Sequence, residues 1–454
     1  MNGLVRYFGV HEAGSTVRRE VVGGVTAFAT MSYIVFVQPA VLHMAGMDFG
    51  GVLVATCLSS AVACFLMAFL SRYPFALAPG MGENFLFVFT VCMAMKFSWQ
   101  AALAIVFISG ALFVALSLFQ IREKVLDVFP SCLKDAIGPA IGLLIAFIGL
   151  QWSGVVVLNP STMVSLGNLR HGAPLLALFG VLLITTLMAR NFRGGILVGI
   201  LATTGLGLLT GVIPFKMEQV TPSFSTFFQL NFSELWANPT NALIAIALFF
   251  FLDLFDTVGT LVGVSSQAGF LDKDGRLPRA GRAFLADALG TCVGALFGNS
   301  TVTSYVESAA GVAAGARTGL ATLVTGLCFI AAIALAPVVA LVGQDIGPQY
   351  YAAMNIPGPV PPMHPAVAPA LIVVGMLMLG GLKKIQWDDV TESLPAFMTV
   401  ALMPLGYGIT EGISAGCISF VAIKCCTGRH REVHPVMAVV ALALAGRYAF
   451  LVGS

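Results

Sequence analysis

Apolar runs of about 20 residues recur along the chain from Val21 to Ala422, each long enough to cross a hydrocarbon core as a helix. Hydrophobic residues make up 58% of the sequence and charged residues only 10%, where a soluble domain carries roughly a quarter charged residues. A water-facing surface cannot be assembled from so few charges, so the chain reads as an all-α polytopic membrane protein. A net charge of +2 with no basic tract leaves nothing to recruit nucleic acid. The first 20 residues hold Arg6, Arg18 and Arg19 but no apolar core, so no cleaved signal peptide is expected. The nine cysteines lack metal-ligand spacing and read as small packing residues.

Fourteen candidate membrane segments can be marked: 21–43, 51–70, 74–94, 99–120, 135–152, 173–190, 194–212, 240–266, 282–297, 299–315, 318–342, 365–381, 391–405 and 408–426. A last apolar stretch, 435–452, contains Arg447 and suits a helix lying on the membrane surface. With the N-terminus inside, twenty of the 23 Lys and Arg fall on the inner side and only Lys96, Arg170 and Lys216 outside. That bias places both termini in the cytoplasm and the chain in the cytoplasmic membrane.

The two halves resemble each other. Residues 194–211 align without a gap to 411–428, matching Gly195 to Gly412, Gly199 to Gly416 and Gly211 to Gly428. Near the start of each half the offset is 223, which sets Thr30 on Asp253, Tyr33 on Asp256 and Asn84 on Glu307. Seven spans per half is odd, so the halves have opposite topology, a recurring transporter plan with the site at midplane. The expected division is an N-terminal segment 1–20, a first repeat 21–212, a connector 213–239, a second repeat 240–426 and a C-terminal segment 427–454.

Ionisable residues inside membrane spans are costly, roughly 2.5–3.5 kcal/mol for Asp on insertion scales, and usually functional. Glu83, Asp253, Asp256, Asp287, Glu307 and Glu411 are such residues, and no Lys or Arg shares the interiors of their spans. A buried carboxyl without a cation keeps its charge only at a cost; it is suited to carry a proton or to accept N–H donors from a ligand. Asp253 and Asp256 in FLDLFDTVGT share a helix face; the plainer reading of each is a cap or a bond to a neighbouring helix. Asp287 reads either as a cation or proton switch or as a structural hydrogen-bond acceptor. Glu411, near the outer end of its span, reads as structural.

Two stretches break their own helices. ALAPGMG (76–82) has Pro79, which lacks a backbone donor, and glycines that permit close approach. GNSTVTS (298–304) is built of small and β-branched residues. Unwound backbone at membrane depth survives only where protein buries it or it lines a cavity. Equivalent breaks in the two halves point to one site between them, with each following half-helix offering free N–H groups. No Walker motif, HExxH or nucleophile elbow is present, which argues against an enzyme. Phe28, Tyr33, Phe85, Phe251, Phe255 and Tyr305 lie near the polar positions, mostly as packing, with one or two free to stack on a flat heterocycle.

ALAPGMGENF, FLDLFDTVGTLVG, DALGT, STVTSYVESAAGVAAGARTGL and DDVTESLPAFMTVALMPLGYGITEGISAG resemble the AzgA-like purine permeases of the nucleobase–cation symporter family, from about residue 15 to residue 428. The resemblance implies two inverted seven-span repeats, a core domain moving against a gate domain, and short extended pieces in the third and tenth spans. It implies proton-coupled uptake of adenine, guanine or hypoxanthine, with no cofactor beyond the coupling proton and no metal. Carried onto this chain, substrate contacts would come from Asn84, Gly82, Asp253, Glu307 and Thr30, with Asp256 supporting the site; Asp287, Glu83 and Glu307, read from their own uncompensated charge, are the further candidates to support the site or couple the proton. Glu83 and Phe85 depart from the family, which usually has an apolar and then a small residue around the Asn. Expected partners are a purine base and the bilayer, with a homodimer among the admissible assemblies. The rival readings are a uracil or xanthine symporter and an anion exchanger of the same plan; the latter would want a cation where Glu307 sits.

Overall fold

A computed structural model of the chain describes residues 2–119, 130–159, 161–192, 194–215, 220–272, 277–353 and 361–450. Arg122, Lys124, Arg193, Lys216, Lys273 and Arg276 of the charge bias lie outside the described residues, as do Gln120 and positions 451–452 of the expected apolar segments.

Along the chain come α1 (Asn2–Tyr7), α2 (Val17–Met31), α3 (Tyr33–His43), α4 (Phe49–Ser71), β1 (Leu77–Pro79), α5 (Met81–Phe85) running into a π-helical stretch (Leu86–Ala94), α6 (Trp99–Phe119) and α7 (Ser131–Trp152). A hairpin of β2 (Val156–Asn159) and β3 (Met163–Leu166) follows, then α8 (Gly172–Ala189), α9 (Gly195–Leu209) and α10 (Ser233–Ala237). The second half has α11 (Pro239–Ala268), α12 (Ala280–Phe297), β4 (Val302–Ser304), α13 (Ser308–Ala313), α14 (Gly319–Ala332), α15 (Ala336–Val342), α16 (Gly347–Ala353), α17 (Ala368–Met378), α18 (Val390–Leu405), α19 (Ile409–Cys426) and α20 (Pro435–Phe450). Among the described residues, nine helical segments are long and apolar enough to cross a membrane. The protein is a multi-pass, mostly helical membrane fold rather than an all-α one. The β2–β3 hairpin was not expected; its signal was the β-branched run Val155–Val157 ahead of an Asn-Pro turn.

The chain divides into two compact units, residues 1–119 with 149–370, and residues 120–148 with 371–454. In the first, α4 packs against α12 and α14, α12 against α6, and α14 against α2. Small residues let these backbones close up. A Cβ on Gly24 would sit 2.3 Å from the Ala321 carbonyl oxygen and 2.8 Å from Val324 Cβ. Gly24→Val therefore has to push α2 off α14, a clash of the overpacking kind that costs about 1–3 kcal/mol or more. We expect it to lower the detergent melting temperature by several degrees in fluorescence-detected size exclusion. Gly205→Ala, whose Cβ meets nothing within 4 Å, should not.

In the second unit α18 lies along α19, and α19 meets α20. Lys424, 1% exposed, donates to Glu392 and Glu432 at 2.6 Å each. It is one of the charges placed on the inner side, and the fold buries it between these two carboxylates. Beside it the Thr391 hydroxyl and N–H, and then Arg429, hold the Asp389 carboxyl down to about 2.

Candidate functional site

Among the described residues of the first unit, the site is built where two helices unwind. The chain leaves α4 at Arg72, left-handed at φ 61, and α12 at Gly298, left-handed at φ 94. Each then runs extended before starting a new helix. β1 and β4 pair antiparallel, Leu77 opposite Ser304 and Pro79 opposite Val302, and both are buried. Two three-residue strands in a dry interior leave edges that water cannot satisfy. Here protein does: Gly80 N–H donates to Thr301 O at 3.0 Å and Tyr305 N–H to Ala76 O at 2.9 Å. Ser308 Oγ accepts Ala76 N–H at 2.9 Å and the Thr291 hydroxyl donates to Val302 O at 3.2 Å. The Tyr305 hydroxyl donates to Pro79 O. The pair is a rigid strut because nearly every group at its edge has a partner.

Carboxylates gather against this strut. Asp287 on α12 is fully buried; it accepts the Thr257 hydroxyl at 2.6 Å and the Ser304 hydroxyl at 2.7 Å. Thr257 Oγ1 also lies 2.9 Å from Thr303 Oγ1, so Asp287 ties α11, α12 and β4 together. Asp253 on α11 accepts the Thr291 hydroxyl at 2.9 Å through Oδ2, while its buried Oδ1 has no hydrogen-bond partner among the described residues. Asp256, one turn on, is half-buried and lies in the electrostatic reach of Glu83, Asp287 and Glu307. Glu307, at the N-terminal end of α13, accepts the Tyr33 hydroxyl at 2.9 Å. Tyr33 and Tyr305 stand 6.4 Å apart, centroid to centroid. Every donor named here is a hydroxyl; none is a cation.

The two residues of the first break part company. Glu83 folds back over the start of α5, so that a Cβ on Gly80 would lie 2.1 Å from its Oε2 and 3.0 Å from Thr303 Cγ2. It belongs with the carboxylate group, and its Oε1 is buried without a partner among the described residues. Asn84 turns the other way. Its Oδ1 accepts from Gln38 Nε2 at 3.0 Å and from the Ser300 hydroxyl. The strand register sets Asn84 beyond one end of the β1–β4 pair and Glu307 beyond the other, so they do not face each other as the sequence alignment suggested. Gly82 lies in the first turn of α5. Thr30, near the end of α2, spends its hydroxyl on Thr26 O at 3.1 Å and Ala27 O at 2.9 Å. Glu411, outside this group, accepts the Tyr448 hydroxyl.

Comparison with known proteins fits this arrangement. A profile of the permease family of xanthine and uracil transporters matches residues 18–415. The chain belongs to this permease family. The guanine/hypoxanthine permease PbuG of Bacillus subtilis is 42% identical over 95% of the chain and 96% of its own length. The adenine permease AdeP of Escherichia coli is 39% identical over 99% and 96%. The transmembrane domain of the cyanobacterial bicarbonate transporter BicA superposes with a TM-score of 0.64 at 16% identity, covering 88% of the chain and 96% of that domain; this is a likeness of fold alone. The permease is thus a transporter and not an enzyme. Sequence reasoning missed Gln38, which touches both breaks. An uncharged amide just before Pro39 sends no signal to a search for misplaced charges.

Proposed function

We propose that this permease imports purine nucleobases together with protons, by alternating access of a core domain against a gate domain in fourteen crossings of two inverted halves, both termini cytoplasmic. The carboxylate group on the β1–β4 strut carries the reading. A purine edge mixes N–H donors with ring-nitrogen and carbonyl acceptors. Asp253 Oδ1 is without a partner among the described residues and can accept a donor, and Glu307 takes the Tyr33 hydroxyl through Oε1. The relatives named for guanine, hypoxanthine and adenine support one of those three purines over uracil or xanthine as the substrate. An acidic centre disfavours an anion exchanger despite the shared fold, since such a site wants a cation. With no Lys or Arg paired to these groups among the described residues, a proton is the natural counter-charge to bring in with a neutral base.

The deciding experiment is uptake of labelled adenine and hypoxanthine by cells expressing the permease, competed by a panel of unlabelled bases. Adenine, guanine and hypoxanthine should compete and uracil and xanthine should not; competition by uracil alone would move the substrate to the pyrimidine branch. Proton coupling predicts that a protonophore abolishes accumulation above equilibrium, and that acidifying the medium raises the initial rate. Uptake indifferent to both contradicts it.

A further inference from the structure

Gln38 lies on α3, fully buried, at the point where the two breaks come closest to the first span. Its Nε2 donates to Asn84 Oδ1 at 3.0 Å and Asn299 Oδ1 at 2.5 Å, with Ser300 Oγ at 3.4 Å. Asn299 is fixed in turn: its Nδ2 reaches Ser59 Oγ at 3.2 Å and Thr56 Oγ1 at 3.4 Å, and its Oδ1 accepts Ser300 N–H at 3.0 Å. The result is an amide cluster, separate from the carboxylates, that joins α3, α4 and α5 to the turn before β4.

The cluster spends only half of each of two amides. Gln38 Oε1 and Asn84 Nδ2 are both buried and have no hydrogen-bond partner among the described residues. One is an acceptor and the other a donor of two protons. They belong to side chains already bonded to each other through Nε2 and Oδ1. Leaving such a pair dry is unfavourable unless something arrives with the complementary pattern.

We infer that Gln38 is a specificity-determining residue that, with Asn84, reads an adjacent donor–acceptor pair on the edge of the transported base. This rests on the purine reading above. The 6-oxopurines carry N1–H beside a C6 carbonyl, and adenine carries its 6-amino group beside the N1 lone pair. Each offers one donor to Oε1 of Gln38 and one acceptor to Nδ2 of Asn84. At its N1/C6 edge purine itself, with no 6-substituent, offers the lone pair but no neighbouring donor; its N–H lies on the imidazole ring. Gln38 is therefore what separates 6-substituted bases from the bare ring.

The test compares the wild type with Gln38→Leu, which matches the shape without the amide, and Gln38→Glu, which keeps an acceptor at Oε1 but loses the Nε2 donor. Inhibition constants of adenine, hypoxanthine and unsubstituted purine are measured against labelled hypoxanthine uptake. For Gln38→Leu the preference for hypoxanthine and adenine over purine should collapse by at least about tenfold, the effect of one lost hydrogen bond to ligand. For Gln38→Glu it should be partly retained. A purely structural Gln38 would weaken all three bases alike and leave their ratios unchanged, which overturns the inference. Should Gln38→Leu fail to fold, as judged by size exclusion in detergent, the ratios in Gln38→Glu and Gln38→Asn decide: unchanged ratios in both overturn it, and a reduced preference in Gln38→Asn, whose amide is withdrawn by one methylene, upholds it. A wild type that takes up no purine removes the purine reading first, so the two failures are distinguishable.

Discussion

Asp253→Asn and Glu307→Gln should each reduce initial rates of purine uptake by about 100-fold or more, while the protein still reaches the membrane in normal amount. Both exchanges are close to isosteric and both keep the contact already made. The amide carbonyl at 253 still accepts the Thr291 hydroxyl, and that at 307 still accepts the Tyr33 hydroxyl. What changes is the second atom of each group, which turns from an acceptor into an N–H donor. At Asp253 that atom is the buried, unpartnered Oδ1, so a ligand N–H arriving there would meet another donor. Leaving a buried donor unpaired costs about 1–3 kcal/mol, more where the lost partner was charged, and every 1.4 kcal/mol is tenfold in affinity or rate. Uptake of labelled hypoxanthine, normalised to the amount of protein in the membrane, measures it. Normal accumulation by both variants would remove these residues from the substrate site.

The sequence displayed the breaks and the misplaced carboxylates because each violates the chemistry of a membrane span. Pro79, Gly80 and Gly82 cannot continue a helix through α4 and α5, and Asp253, Asp256 and Asp287 have no place in a lipid-facing helix. Those violations were visible without any partner. How the pieces meet was not visible, because it depends on connection lengths. One residue, Gly80, joins β1 to α5, whereas three, Tyr305 to Glu307, join β4 to α13. The offset of 223 between halves is already 225 at the strands, Leu77 against Val302, and the longer connection carries it to 227 at the helices that follow, Met81 against Ser308. That slip is why Asn84 was set opposite Glu307 and is instead with Gln38 and Ser300. Glu83 was the residue hardest to place from sequence, since on an ideal helix it points about 100° away from its neighbours. The fold answers by bending its side chain back over Gly80, toward the other carboxylates. Gln38 and Asn299 were passed over for the opposite reason. They are neutral, so they break no rule alone, and only the folded chain shows that their amides interlock.

Asp287 separates a structural carboxylate from one that moves a proton, and Asp287→Asn should divide the two roles. In the folded chain Asp287 accepts two hydroxyls, Thr257 at 2.6 Å and Ser304 at 2.7 Å. An asparagine keeps one through its carbonyl, and its NH2 faces the other. Thr257 has an alternative acceptor in Thr303 Oγ1, 2.9 Å away, so its hydroxyl can turn and accept from the new amide. The strut between α11, α12 and β4 then survives, and the variant should melt within a few degrees of the wild type. Asp287→Ala has no such escape: it leaves a cavity and strands two buried hydroxyls, and should lose the fold. The amide cannot take up or release a proton. If Asp287 is the coupling group, Asp287→Asn binds purine yet no longer concentrates it, because a proton moving down one pH unit supplies about 1.4 kcal/mol, or about tenfold accumulation. Proteoliposomes with an imposed pH gradient read this directly. The expected result is purine that equilibrates across the bilayer with no response to the gradient. Gradient-driven accumulation at the wild-type level would make Asp287 a strut alone and shift the coupling role to Asp256, Glu83 or Glu307, further carboxylates of the same group.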